Sequence, residues 1–180
     1  MSFILSHTSV LLGISSETES ALDIDQQTPE VPFISFDNES KVSAAFCPLT
    51  SDNKLERILG LLELLLNQKI ADNEIDFNKT PIFWLLPELT ISDNQTLIEW
   101  ATALNNTFPV LFNHPKTQFF PFGSSAFAMS VHTVGTLLKE NNDVSEVCII
   151  AVDTLFHELS SLLNSGSLFS FASGEVTWFD

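Results

Sequence analysis

The chain predicts an α/β fold: a mostly parallel, mixed sheet with a buried helix at its centre. Three features point there. From Ser51 onward, stretches of helical spacing alternate with short apolar runs, the pattern that builds a layered sheet through right-handed crossovers. Between Gly123 and Leu138 no side chain is charged and many are small, so a helix there is expected to be packed on all sides. Directly after it, Val147–Val152 is β-branched and nearly continuous, which suits a central strand covered on both faces.

Taken in order, Phe3–Leu12 has strand composition and ends at Gly13. Ser15–Glu30 is polar and acidic, and 15–50 as a whole is expected to be a variable, loop-rich region. Within it, Val31–Phe36 and Val42–Phe46 predict a small hairpin or extended edge, split by Asp37–Ser40. Ser51 or Asp52 is placed to cap a helix over Leu55–Gln68. There Leu55, Ile58, Leu59, Leu62, Leu65 and Leu66 recur at helical spacing, and Leu61 and Leu64 widen the stripe. Thr80–Leu86 predicts a buried strand stopped by Pro87. Ser92 and Asp93 precede a helix from Asn94 to about Asn105, with Leu97, Ile98, Ala101 and Leu104 on its inner face. Val110–Phe112 and Thr117–Phe120 predict an extended segment interrupted by His114 and Pro115, and proline confines such a strand to an edge or a bulge. Beyond the central helix and strand, Leu155–Leu163 is helical in pattern, and the tail 164–180 fits either one last strand or irregular chain.

At 180 residues the chain can bury a sizeable core in one domain, and 44% hydrophobic content excludes a disordered chain. The net charge of −16 comes from 23 acidic and 7 basic residues, with Arg57 the single arginine. Nucleic-acid binding requires clustered Lys and Arg, so this balance excludes it, and anionic membrane surfaces are disfavoured for the same reason. The apolar run Leu55–Ile70 is broken by Glu56, Arg57, Glu63, Gln68 and Lys69, too short and too charged to span a bilayer. The amino-terminal stretch lacks the basic start and uninterrupted apolar core of a secretory signal, so a cytoplasmic protein is expected. Cys47 and Cys148 match no metal-ligand spacing, and Cys148 is expected to be a reduced, small hydrophobe inside its strand. No phosphate loop, dinucleotide fingerprint or metal cluster occurs, so no cofactor is expected.

Three stretches, in their order and spacing, resemble the amino-terminal half of the thiolase-like fold found in β-ketoacyl synthases. LERILGLLELLLNQ followed by TPIFWLLPE resembles the first helix and second strand of that half. GSSAFAMSVHTVGTLL resembles the nucleophile segment, usually Cys-Ser-Ser-Ala-Leu running on into a buried helix. VCIIAVDTLF resembles the strand after it, which tends to read Val-Gly-Gly-Val-Asp-Ser. Together they cover most of residues 51–160. The resemblance implies one truncated thiolase-like domain over 1–180, half of a three-layer fold.

It also implies an inactive relative rather than an enzyme. On the family's pattern the nucleophilic cysteine falls at Gly123. A cysteine at the start of the central helix is activated by the helix dipole, whereas glycine keeps the turn and has nothing to attack a thioester. The family's two catalytic histidines belong to the second half of the fold, and His7, His114, His132 and His157 do not match them. Ser124 and Ser125 stand at the same helix start, but a serine nucleophile needs a base. His132, the histidine on this helix, lies about 10 Å away by helical rise, too far for direct proton transfer. Close packing and capping are the other use of both serines. Asp153 ends a strand where α/β sites often lie, and capping the next turn is its other use.

In the complete family fold the central helix is sandwiched between two half-domains. With one half encoded, its open face is expected to be covered by another protein or by a second copy of this chain. Leaving a few hundred Å² of apolar surface in water costs roughly 25 cal/mol per Å², or several kcal/mol in all. Candidate contact residues are Ser124, Ser125, Phe127, Met129 and His132 on the helix, with Phe112, Phe119 and Phe120 before it, where family dimers pair a strand with its twin. Leucine at Ala128 or Gly135 is expected to disrupt packing around the helix. Two functions follow from the resemblance. One is a non-catalytic accessory, chaperone or assembly factor, of the kind encoded beside bacterial type VI secretion effectors. The other is a pseudo-subunit of a split ketosynthase binding acyl chains or a carrier protein, for which a charge of −16 is electrostatically poor.

Overall fold

The computed structural model describes residues 34–36, 40–45, 53–71, 75–89, 94–140, 143–154 and 177–179, with 4, 9, 11, 49 and 51 as single positions. Apart from those single positions, the strand expected over Phe3–Leu12 lies outside them. So do the loop at Ser15–Glu30, the helix at Leu155–Leu163, Cys47, His7 and His157. In chain order the elements are β1 (Ile34–Phe36), β2 (Ser40–Ala45), α1 (Lys54–Ala71), β3 (Ile82–Leu85), α2 (Asn94–Thr107), β4 (Gln118–Phe120), α3 (Ala126–Glu140), β5 (Cys148–Ala151) and β6 (Thr177–Phe179). Short 3-10 turns occupy Pro109–Phe112 and Gly123–Ser125. The chain divides into two compact units, with boundaries within α1 after Leu65 and again after Asp153.

In the unit formed by the flanking stretches, β1 and β2 make the expected hairpin, with Ile34 opposite Val42 and Phe36 opposite Ser40. The tail does supply a strand: β6 pairs parallel to β2, giving the order β1-β2-β6. The cap of α1 is Asn53 rather than Ser51 or Asp52. Its Oδ1 accepts the amides of Leu55 at 2.9 Å and Glu56 at 3.1 Å. Ser51 braces that cap, accepting the Asn53 amide at 3.1 Å and donating to the Glu56 carboxylate at 2.6 Å. Such a cap contributes about 1 kcal/mol. Helix α1 buries Ile58, Leu61 and Leu62 and turns Leu64 outward. Beside them sits Arg57, only 1% exposed, its Nη1 donating to the Leu49 carbonyl at 3.3 Å.

The other unit holds a three-stranded, wholly parallel sheet in the order β4-β3-β5. Its middle strand is β3, with all four residues buried. Strand β5, expected at the centre, is paired on one side only among the described residues, and its Ala151 is exposed. The chain goes from β3 to β4 and then back past β3 to β5, so the first strand of the unit becomes the middle one. A β-branched run records apolar neighbours on the faces, not on which edges the strand is paired.

The pleat of β3 sorts the core. Phe83 and Leu85 pack with Phe120, Ala126, Leu137 and Val144, joined by Val134, Leu138 and Ile149. Trp84 points the other way. It is fully buried and stacks with Phe112 and Phe119, ring centroids 5.7 and 6.5 Å away, while its indole N–H has no hydrogen-bond partner. Phe112 belongs to a 3-10 turn, not to the extended segment expected over Val110–Phe112. Pro109 sits in the turn's first positions, where its fixed φ favours helical geometry. Helix α2 buries Trp100 and Leu104 and leaves Ile98 59% exposed, correcting the inner face drawn through Ile98. The larger Trp100 takes the inward position, two residues round the helix.

Helix α3 begins at Ala126, after the 3-10 turn, and is buried on one face only, through Ala126, Ser130 and Leu137. Phe127 and Met129 are 62% and 43% exposed. Among the described residues the expected burial on all sides is therefore not realised. Its outer positions mix Phe127 and Met129 with small and uncharged residues, and no charge marks the solvent side, so the amphipathic pattern is hidden in the sequence. Ala128 is exposed, so leucine there is not expected to strain the core. No helix among the described residues is long and apolar enough to cross a membrane.

Candidate functional site

In an open α/β sheet, ligands collect at the carboxyl ends of strands where successive connections run in opposite directions. Here α2 carries the chain from β3 to β4 on one side, and α3 carries it back to β5 on the other. The reversal opens a crevice between the ends of β3 and β5, and a cavity of about 300 Å³ lies there. Leu85, Leu86 and Pro87 line it from β3, Gly123, Ser124 and Phe127 from the start of α3, and Ala151, Val152 and Asp153 from β5.

Backbone hydrogen bonds hold these loops together. Leu86 N–H donates to Phe120 at 3.1 Å, Gly123 N–H to Leu86 at 3.2 Å, Leu89 N–H to Pro121 at 3.1 Å, and Val152 N–H to Leu85 at 3.2 Å. Gly123 is required twice over. Its φ is +51°, and a Cβ there would lie 3.1 Å from Glu88 Cβ and 3.3 Å from Glu88 N. The 3-10 turn it starts leads straight into α3.

The lysines of this unit that flank the sheet lie at one end of it, together with the exposed acids Glu140, Asp143 and Glu146. Lys79 and Lys116 precede β3 and β4, and Lys139 lies in the last turn of α3, before β5, so all three mark the amino end of the sheet. Asp76 sits at that end too, where the Lys79 ammonium at 3.1 Å and the Asn78 amide hold its carboxyl below the usual range. His114 accepts the Lys116 amide there at 3.2 Å. At the carboxyl end the described loops carry Glu88 and Asp153, both exposed, and no cation.

The candidate residues separate into two groups. Ser124, Ser125, Phe127, Met129 and His132 are all exposed around the start and outer side of α3. Phe127 forms a wall of the crevice. Met129 marks the opposite margin of the helix face, with Ala128 and His132 between them. Phe112 and Phe119 instead stack on Trp84, and Phe120 is buried 5.1 Å from Phe83, so these three serve the sheet. Strand β4 is an edge strand among the described residues. Glu88 and the Leu85–Pro87 wall were not foreseen as site residues, although Pro87 marks where β3 must end.

Cys148 is unsuited to nucleophilic work. Burial, followed by the nearby Glu146 carboxylate, pushes its thiol from 9.0 up to about 11. In a Cys47→Ser background, iodoacetamide is expected to label the folded chain at pH 8 roughly a hundredfold more slowly than the urea-unfolded chain, following thiolate population. Equal rates would show the thiol to be open to solvent. The raised value means that the unfolded thiol ionises first. This contribution to stability is complete below pH 9 and is lost as pH rises towards 11.

Among the described residues no group of three or more His, Cys, Asp or Glu side chains is placed to hold a metal ion. In comparison with known proteins, the chain matches no family model, no curated protein and no solved structure.

Proposed function

We propose that the chain is a non-catalytic, thiolase-like binding protein, an accessory, chaperone or assembly factor that grips another protein along α3 in the cytoplasm. One observation carries this. The outer side of α3 is free of charge from Ala126 to Leu138, small at Ala128, and flanked by exposed Phe127 and Met129. Large apolar side chains in such a setting mark contact surfaces. Gly123, at the position of the family's nucleophile, offers no side chain for acyl transfer. By the resemblance, the cargo is an effector of a type VI secretion system. A carrier-binding pseudo-subunit is the weaker alternative, because an acidic carrier would meet Glu88 and Asp153.

The test compares the native chain with Phe127→Asp and Ala128→Leu. Both positions are exposed, so both variants are expected to melt within a few degrees of the native chain. The native chain is expected to co-purify with a protein expressed from a neighbouring gene, and both variants to lose it. A native chain that behaves as a monomer and retains no protein that the variants release would end this assignment. Turnover of a thioester by the native chain would end it too.

A further inference from the structure

We propose that the crevice between β3 and β5 is a socket for one large apolar side chain carried on a basic segment of a partner protein, whose Lys or Arg residues meet Glu88 and Asp153. The proposal rests on the binding role above and specifies the chemistry of the partner.

Size comes first. About 300 Å³ is at the low end of the roughly 300–1,000 Å³ of small-molecule pockets, room for a side chain rather than an extended ligand. The walls supplied by Leu86, Pro87, Phe127 and Val152 are apolar, and backbone hydrogen bonds join the loops on either side. Phe127 is 62% exposed at the mouth, where an incoming apolar group would cover it. A few well-packed anchors of this kind carry most of the affinity at protein interfaces.

Charge then selects the occupant. The described loops at this end hold two exposed carboxylates and no cation, whereas at the other end Lys79, Lys116 and Lys139 stand among Asp76, Glu140, Asp143 and Glu146 and offset them. A phosphate, a carboxylate ligand or an acidic protein would approach against that field. A second copy of the chain would bring another −16 against the first. A segment bearing Lys or Arg is attracted over a distance and oriented on arrival, the part that rim charges play in recognition. Glu88 is exposed, so an ion pair there chooses the partner more than it tightens the complex.

The experiment pans the full chain against random dodecapeptides displayed on phage, at about physiological salt. Enriched peptides are expected to carry Phe, Trp, Leu, Ile or Met next to Lys or Arg. A synthetic peptide of the enriched sequence should bind Glu88→Lys and Phe127→Ala each about tenfold more weakly than the native chain, and bind more weakly as salt rises. Both substitutions are at exposed positions. Thermal melting is read first, and if Phe127→Ala proves unstable the Glu88→Lys result decides. Acidic or uncharged enriched peptides would overturn the socket, as would affinities that ignore both substitutions, and in either case a binding role elsewhere on the chain would stand. If no peptide is enriched the socket falls, and if the native chain also retains no partner the binding role falls with it.

Discussion

Replacing Trp84 with alanine is expected to cost about 3–5 kcal/mol of stability, the usual range for removing a large aromatic side chain from a core. The residue is fully buried on the middle strand, and its ring stacks with both Phe112 and Phe119. Truncation leaves a hole bounded by two aromatic rings and by a paired backbone, which cannot collapse freely to fill it. A shared ring stack also joins the 3-10 turn to β4, since Phe112 and Phe119 lie 6.0 Å apart. Trp84→Phe makes a useful contrast. It keeps an aromatic ring and removes a buried N–H that has no acceptor, a group whose burial itself costs about 1–3 kcal/mol. Its loss should therefore be well below that of alanine. Urea unfolding of the three proteins measures both differences, and a loss under 1 kcal/mol for alanine would mean that Trp84 is not at the centre of the sheet.

Gly123→Cys is expected to destabilise the chain by about 1–3 kcal/mol and to confer no acyl transfer. The left-handed φ of +51° penalises any side chain, and the new Cβ would meet Glu88 Cβ at 3.1 Å and Glu88 N at 3.3 Å. Backbone atoms give way less easily than the end of a flexible side chain. Gly123→Ala should show the same loss, and Gly123→Asn a smaller one, because asparagine tolerates the left-handed region better. On the proposed thiolase-like reading, the cysteine would stand at a nucleophile position without a matched histidine base. Covalent labelling by a thioester analogue, followed by mass spectrometry, checks the chemistry. A Gly123→Ala chain as stable as the native one would show that this turn does not have the conformation described.

Much of the architecture was legible in the residues, for identifiable reasons. Thr80–Leu86 ends at a proline and is apolar throughout, and β3 lies within it with every residue buried. The hairpin, the parallel sheet and helices α1 and α2 were signalled by alternation and spacing. Strand order was not legible. Val147–Val152 looked central because its side chains are β-branched, but only pairing decides which strand is in the middle, and pairing leaves no local mark. The cap of α1 moved to Asn53 because three successive polar residues all suit that role, and geometry chose the one beside the first helical turn. At the site, Gly123, Ser124, Phe127 and Asp153 were singled out and do line the crevice. Glu88 was missed because its place against Gly123, one residue beyond the lining Pro87, depends on a loop folding back. Phe120 reads in the sequence as a contact residue, but its neighbour across the sheet, Leu85, draws it into the core.

The burial of Arg57 has a practical use. It is the single arginine of the chain and 1% exposed, with its guanidinium on the Leu49 carbonyl. An arginine-specific protease therefore has one peptide bond to cut, and it can reach that bond only when α1 comes apart. Digestion then yields two fragments divided after residue 57, and their rate of appearance times the opening of this helix without any label.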